Sequence, residues 1–464
     1  HSLLKLRLAL STAKRLSNVR VPVALLPHNS GLSADAEGLI LCDVAIDSQG
    51  KISAVKAATG KASIGAIDCG GAVLVSCFTD AHTHMVKTHA HPRTRNPTGS
   101  VSDALAIELE DQPRWAACPC CRPLAFAAGG AANANADADE SCVPCPKATD
   151  VLRRMDFALA SAYHHGTRAV RTHLDGTSVP DAKTRATVYA AFAANRTKWG
   201  GRGIEVQGVA NLYLPLWAQP ALAEAHVAEA VKYEGVLLGA YCGNVNGTPA
   251  HETEAAFDAL FSYAQTHTLA VDLHIDETND TECCGLRPLV TSLKKARAKG
   301  YAQPVLLGHC TSLAIVSPAW RDEVVRGLSG IADVTVVCNP STNLGLQDRR
   351  GSAVPHCAPV DAGTPRTPLW RGVTSIQELS ASGVLVGAAS DNVRDHWHAY
   401  GDYDGLSTWK GAITLGHLDT APSEGAWAHI VSDAPAKAMG LMAADACAFT
   451  AGSAADLILF PDAN

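Results

Sequence analysis

The chain has 464 residues, of which 47% are hydrophobic and 18% are charged, a composition typical of a soluble enzyme with a large core. Its formal net charge of -7 is mild for this length and argues against nucleic acid as a partner, because nucleic-acid binding usually requires a concentrated basic face. No apolar run approaches the length of a membrane span, so we expect no membrane partner.

The first 71 residues are predicted to be an N-terminal segment followed by part of a small β-sandwich. Residues 1–34 contain no acidic residue and several basic ones, which fits either an organelle-targeting remnant or a surface helix. The fifteen cysteines form no evenly spaced framework typical of secretion, so a cytoplasmic location is favoured, with an organelle as the alternative. Short strands of the sandwich are predicted at residues 19–26, 39–46, 52–55 and 455–460. Residues 441–464 therefore return to the sandwich, which we expect to be incomplete.

Between the two ends, strand-like runs alternate with helix-like runs, which predicts a parallel sheet. Helices are predicted at residues 151–163, 221–233, 252–266 and 286–298. Strands are predicted at residues 73–78, 167–172, 204–210, 236–241, 270–274, 304–309, 334–338 and 384–390. Eight such strands indicate an α/β fold, a (β/α)₈ TIM-like barrel over residues 72–440 with a small flanking β-sandwich formed by both termini.

Polar side chains recur where these predicted strands end. The active sites of such barrels lie at the carboxyl ends of the strands, so these residues should meet at one mouth. The residues concerned are His82, His84, His173, His274, His309, Asn339 and Asp391. Because histidines scattered by chance would not fall so regularly at strand ends, this regularity is the main argument for a functional site.

The residue types at the strand ends favour one divalent metal ion. His82 and His84 follow a buried strand with a spacing that points both imidazoles to one face. His274 supplies a third imidazole and Asp391 a carboxylate, which leaves an open position for water. Glu277, three residues past His274, is placed to move a proton to the substrate. His309 is expected to orient the attacking water or to stabilise developing charge.

One segment interrupts the barrel pattern. Residues 116–147 are rich in Ala, Asn, Asp and Gly and are predicted to be an insertion in the first connection between a strand and a helix. The insertion contains two CxxC pairs, formed by Cys118, Cys121, Cys142 and Cys145. Two such pairs fit a structural zinc site, while the low complexity between them fits a plain surface insertion.

The motifs together resemble those of the amidohydrolase superfamily, specifically its cytosine-deaminase-like branch. The matching segments are TDAHTH at 79–84 with Lys87, RTHLD at 171–175, HIDET at 274–278, GHCT at 308–311, Asn339-Pro340 with LQDR at 346–349, and Ser390-Asp391-Asn392 with Asp395 and Trp397. The resemblance implies one zinc or iron ion, held by His82, His84, His274 and Asp391. It also implies hydrolytic deamination, in which metal-bound hydroxide attacks an amine-bearing ring carbon and ammonia leaves.

The same resemblance implies catalytic roles for Glu277, His309 and Asp391. Glu277 would carry a proton to a ring nitrogen, and His309 would contact the attacking water. The residues expected to bind substrate are Tyr213, Asn392, Trp397 and His173.

Two departures from the branch concern the substrate. Cytosine deaminases place a glutamine where this chain has Tyr213, and a phenol cannot reproduce the paired donor and acceptor of an amide. Asn392 stands where the branch has a second aspartate. We therefore expect a small cytosine-like heterocycle, an aminopyrimidine or a triazine, rather than cytosine itself, and we expect a homo-oligomer.

Two alternatives remain open. One is a cyclic-amide hydrolase that uses the same metal site to open a ring, although Glu277 favours protonation of a ring nitrogen. The other is a non-catalytic paralogue that keeps the barrel, for which the altered substrate-reading residues and the insertion are the arguments.

Overall fold

The structure is a computed structural model that describes residues 14–61, 64–116, 149–243, 245, 247–283, 285–348, 367–419 and 424–460. The predicted insertion, with Cys118, Cys121, Cys142 and Cys145, lies outside the described residues apart from Ala116. The described strands are β1 Lys14–Pro22, β2 Leu39–Ile46, β3 Ile52–Ala57, β4 Ile67–Asp68, β5 Val73–Ser76, β6 Phe78–Thr83, β7 Thr167–His173, β8 Glu205–Tyr213, β9 Val236–Tyr241, β10 Val271–Ile275, β11 Val305–His309, β12 Val334–Cys338, β13 Leu385–Ala388 and β14 Leu457–Phe460.

Helices follow most of the barrel strands. The described α-helices are α1 Val101–Trp115, α2 Asp150–His164, α3 Ala182–Gly200, α4 Leu214–Trp217, α5 Pro220–Ala230, α6 Ala250–Thr266, α7 Leu286–Ala298, α8 Pro318–Ser329, α9 Pro340–Leu346, α10 Ile376–Ala381, α11 Gly405–Gly416 and α12 Asp433–Ala438. Short 3₁₀ helices occur at Val23–Leu25, Thr311–Ala314 and Glu424–Val431. Within the described part of the chain, no helix combines the length and apolarity needed to cross a membrane.

Strands β6 to β13 form one parallel eight-stranded sheet in sequential order. Several of them, including β6, β10, β11 and β12, are buried along their whole length, as expected for strands covered by helices on one side and by barrel interior on the other. The last strand returns to the first where Thr83 forms a parallel bridge with Asp391. The Asp391 N–H also donates a hydrogen bond of 2.9 Å to the carbonyl of His82. The predicted (β/α)₈ barrel is therefore confirmed.

A separate sheet contains strands from both ends of the chain. Its order is β14-β5-β1-β2-β3, with β4 paired to β1, and it mixes parallel with antiparallel pairs. The predicted flanking β unit formed by both termini is thus confirmed, and the described residues build it as one mixed sheet. The strand predicted at residues 19–26 corresponds to β1, which ends at Pro22 and not at residue 26. It ends there because Pro22 lacks a backbone N–H and the chain continues as a 3₁₀ helix.

The prediction of a single opening strand over residues 73–78 is wrong. The run is divided at Cys77 into β5, which pairs antiparallel with β14, and β6, which is the first strand of the barrel. Hydrophobic continuity does not reveal a change of pairing partner, which explains the error. As a result, His82 lies within β6 and not beyond the strand.

A buried ion pair lies inside the barrel next to the site. The Arg171 guanidinium donates to Asp272 at 3.1 Å and to the carbonyl of Ala438 at 3.0 Å. Both charged side chains are at most 1% exposed. Asp272 precedes His274 by two residues on β10, so both side chains point to the same face of the strand. The ion pair therefore fixes the strand that carries one of the predicted metal ligands.

Candidate active site

The four predicted metal ligands converge at the mouth of the barrel. The Nε2 atom of His84 lies 3.0 Å from Nε2 of His274 and 3.4 Å from Oδ1 of Asp391. The Nε2 atom of His82 lies 3.9 Å from the same carboxylate oxygen. All four residues are buried, with none more than 7% exposed. Within the described residues, His82, His84, His173 and His274 offer nitrogens that all lie within 4.8 Å of one another, and His82, His309 and Asp391 form a second such group.

The chemistry of these groups fits a divalent cation. Within the described residues, His82 Nε2 and both carboxylate oxygens of Asp391 are buried without a hydrogen-bond partner. Burial lowers the pKa of His82 and His274 well below the ordinary value, which leaves neutral imidazoles with free lone pairs. Four ligands about 2.1 Å from one ion lie about 3.4 Å apart, close to the separations found here. A cation at this point would satisfy His82 Nε2 and Oδ1 of Asp391.

The carboxyl group of Asp391 supports the same conclusion. Burial, followed by repulsion from Glu277, raises the pKa of Asp391 well above its ordinary value when no cation is considered. A buried carboxylate without a counter-charge is costly, so a neighbouring positive charge is expected. Asp391 also has a positive φ of 60°, a strained backbone conformation for a residue other than glycine, of the kind that clusters at functional sites.

The second ring nitrogens of His82 and His84 have partners of their own, whereas Nδ1 of His274 has no hydrogen-bond partner among the described residues. The Nδ1 atom of His84 lies 2.9 Å from Asp175, and Nδ1 of His82 lies 3.2 Å from Nε2 of His173. Asn211 in turn is hydrogen-bonded to the other nitrogen of His173 at 2.9 Å. Such contacts hold an imidazole in one tautomer and orientation. His173 is fully buried behind His82, where its contacts are those of an orienting group, and its predicted role in substrate binding stays a prediction.

We expect Asp175→Asn to weaken metal binding about 10- to 100-fold, because the amide cannot accept the His84 N–H as a carboxylate does. The affinity is measured by competition with a chromophoric chelator. Asp258→Asn is the matched control, since Asp258 pairs with Lys295 between α6 and α7. Equal affinities in the two variants would contradict the assignment.

Glu277 and His309 lie side by side and share one partner. Oε1 of Glu277 is 3.3 Å from Nδ1 of His309. The amide of Asn343 donates to Glu277 at 2.9 Å and to His309 at 3.0 Å. Burial raises the pKa of Glu277 to about 8, and burial lowers the pKa of His309 to about 3. The pair therefore combines a carboxyl group that holds a proton near neutral pH with a neutral imidazole.

A cavity of about 250 Å³ leads from these groups to the surface. Tyr213, Asn392 and Trp397, predicted to bind substrate, all line it. A second cavity of about 240 Å³ adjoins it, and both share His274, Glu277, Tyr241, Leu346 and Trp397. Asn392 donates its amide N–H to Asp395 at 2.9 Å, so its amide oxygen points away from Asp395. The site therefore joins the proposed metal cluster to a space with aromatic walls.

Sequence reasoning missed several residues of the site. Asp175 belongs to the RTHLD motif at 171–175, but the sequence assigns it no role. Asn343 and Tyr241 belong to none of the motifs. Asn343 lies one helical turn after Asn339, a spacing that could have revealed it. Glu108, which also lines the cavity, belongs to α1, and nothing in its local sequence signals that this helix packs over the barrel mouth.

This fold and this set of residues place the chain among the metal-dependent hydrolases, and the chain belongs to the amidohydrolase family, whose model matches residues 216–464. It is 32% identical over 451 residues to pterin deaminase of Rhizobium rhizogenes (strain K84 / ATCC BAA-868), which covers 96% of this chain and 87% of that protein. It is 25% identical over 342 residues to N-isopropylammelide isopropyl amidohydrolase of Pseudomonas sp. (strain ADP), covering 73% and 68% of the two chains.

A solved structure shares the fold. The 5-methylcytosine deaminase from Klebsiella pneumoniae superposes with a TM-score of 0.66 at 19% identity, over 92% of this chain and 87% of that one. The chain is therefore a hydrolase that cleaves C–N bonds, as predicted, and enzymes of its family use a divalent metal. The alternative of a non-catalytic paralogue is set aside.

Proposed function

We propose that the protein is a hydrolytic deaminase of an amino-substituted nitrogen heterocycle, which acts with one zinc or iron ion. The observation that carries this proposal is the convergence of three buried imidazoles and one buried carboxylate next to a carboxyl group of raised pKa. The net reaction replaces a ring C–NH₂ group by C=O, consumes one water molecule and releases ammonia.

In this proposal His82, His84, His274 and Asp391 hold the ion. A divalent ion there supplies Lewis acidity, which makes water acidic enough to ionise near neutral pH. Glu277 keeps a proton on its carboxyl group and delivers it to a ring nitrogen of the substrate. His309 stays neutral and offers a ring nitrogen towards the reacting centre. Asn343 fixes the positions of Glu277 and His309 relative to each other through its two hydrogen bonds.

The substrate that we propose is a pterin, which is an aminopyrimidine fused to a second ring. The relative that is 32% identical over nearly the whole chain is a pterin deaminase. The two adjoining cavities, of about 250 and 240 Å³, offer more space than a single pyrimidine ring requires. Tyr213 and Tyr241, with ring centroids 6.2 Å apart, give a flat heterocycle an aromatic wall. Tyr213 stands where cytosine deaminases have a glutamine, which argues against cytosine as the substrate.

The proposal is tested with metal-replete protein and a panel of pterin, cytosine, guanine and aminotriazines that carry an unsubstituted NH₂ group. We expect ammonia release with pterin and a product in which NH has been exchanged for O. A product heavier than the substrate by a whole water would instead support the cyclic-amide hydrolase. Absence of ammonia with every member of the panel would overturn the deaminase proposal.

A further inference from the structure

Glu108 of α1 gathers three hydrogen bonds at a single carboxylate oxygen. Its Oε2 atom accepts from Lys87 Nζ at 3.2 Å and from Trp397 Nε1 at 3.0 Å, and it lies 3.2 Å from Nε2 of His396. The side chain is only 13% exposed. The donors come from the segment after β6 and from the segment after β13. One carboxylate therefore ties α1 to both the first and the last strands of the barrel.

Lys87 extends this network to the proposed metal site. Its ammonium group lies 3.3 Å from Asp175 and 5.0 Å from the centre of the Trp397 ring. Asp175 is also the partner of Nδ1 of His84, at 2.9 Å. Lys87 and His84 thus share one carboxylate, and the contacts run without a gap from Glu108 through Lys87 and Asp175 to His84.

The ammonium group of Lys87 lies between two carboxylates, those of Glu108 and Asp175. Lys87 is 5% exposed, and a buried ammonium group is stable only when it is paired. Burial alone would lower the pKa of Lys87, but Asp175 and Glu108 hold it above its ordinary value, so the side chain is charged. Without the charge of Glu108, the ammonium group would be drawn to Asp175 alone. It would then compete with His84 for that carboxylate.

The same contact fixes one wall of the cavity. Trp397 lines both cavities, and its indole N–H ends on Glu108. Leu105 and Leu109 of α1 line the larger cavity although they are 42% and 63% exposed, so the helix presents apolar side chains to the space where substrate would bind. The position of α1 relative to Trp397 therefore determines the width of this space.

We propose that Glu108 is a positioning residue of the deaminase site, which holds His84 in its working geometry through Lys87 and Asp175 and holds Trp397 by a direct hydrogen bond. This inference rests on the proposed function, since it concerns the same cavity. Glu108 does not contact the proposed ligands itself. It is a charged residue outside the proposed ligand set and lies on α1, the first helix after barrel strand β6.

The test compares Glu108→Gln with Glu110→Gln, an exposed position on the same helix. Loss of a hydrogen bond between charged groups should raise the KM for pterin about tenfold or more, with a smaller change in kcat. Competition with a chelator should show weaker metal binding in Glu108→Gln than in wild type, and Glu110→Gln should match wild type in both measurements. Unchanged KM and unchanged metal affinity in Glu108→Gln would overturn the proposal.

A double-mutant cycle with Lys87→Met tests whether Glu108 acts through Lys87. The proposal predicts that Glu108→Gln adds little to the loss of metal affinity already caused by Lys87→Met, because only the path to His84 runs through Lys87. Because the double variant removes one positive and one negative charge, it should also unfold at a higher temperature than Lys87→Met alone. A full, additive effect of Glu108→Gln on metal affinity in the Lys87→Met background would overturn the proposal. If wild-type protein releases no ammonia, the proposed function fails, while the chelator measurement still decides the role of Glu108.

Discussion

Replacement of Asp391 by alanine is expected to abolish ammonia release and to leave the protein unable to retain a divalent ion. Asp391 is the one carboxylate among the four proposed ligands and is fully buried. Without it, the three imidazoles supply no negative charge to balance a divalent cation in a dry site, which is unfavourable. The ion's electrostatic contribution to catalysis is several kcal/mol, so kcat should fall about 1,000-fold or more.

The measurement pairs elemental analysis after dialysis with a steady-state assay of ammonia. Asp258→Asn serves again as the control, because it removes a partly exposed carboxylate of α6 and should keep both metal and activity. Thermal unfolding of both variants establishes that they fold. A folded Asp391→Ala protein that keeps its metal and its turnover would show that the ion is bound elsewhere.

The second large effect is expected for Glu277→Gln. The amide has the shape of the carboxyl group and can still accept the N–H of Asn343, but it cannot carry a proton between water and the substrate. General acid–base catalysis is worth about 100- to 10,000-fold, so kcat should fall by that factor. Metal content should stay at the wild-type level, which separates this variant from Asp391→Ala.

Glu282→Gln is the matched control, because Glu282 is an exposed residue in the same loop, five positions further along the chain. It should be as active as wild type. A Glu277→Gln protein with normal kcat would assign the proton transfer to another group and would remove the main argument for deamination over ring opening.

Much of the barrel and of the proposed metal site was predictable from local patterns. Strands alternate with helices in the sequence, and the carboxyl ends of parallel strands necessarily meet at one mouth. His82, His84, His274 and Asp391 each follow or end an apolar run, so their convergence required only the correct fold. The convergence of these residues follows from the order of strands and helices along the chain, which can be read from a single sequence.

Contacts that depend on packing between distant segments were not predictable. The division of residues 73–78 between two sheets depends on the antiparallel partner β14, almost four hundred residues later. His173 ends a strand and joins the same buried cluster as His82, His84 and His274, and its contacts with His82 and Asn211 do not show in the local sequence. Glu108 is one of several acidic residues on an amphipathic helix, and only the docking of α1 over the mouth distinguishes it from Glu110.

The closure of the barrel has a consequence for how the protein acquires its ion. His82 and Asp391 belong to the first and last barrel segments, and the hydrogen bond between their backbones joins those segments. If His82 and Asp391 hold the ion as proposed, its binding and completion of the tertiary fold are thermodynamically linked at this junction. During synthesis the proposed binding pocket forms only after β13, the last barrel strand, has been made and has joined the barrel. The nascent chain therefore cannot bind an ion there at full affinity before its barrel is complete.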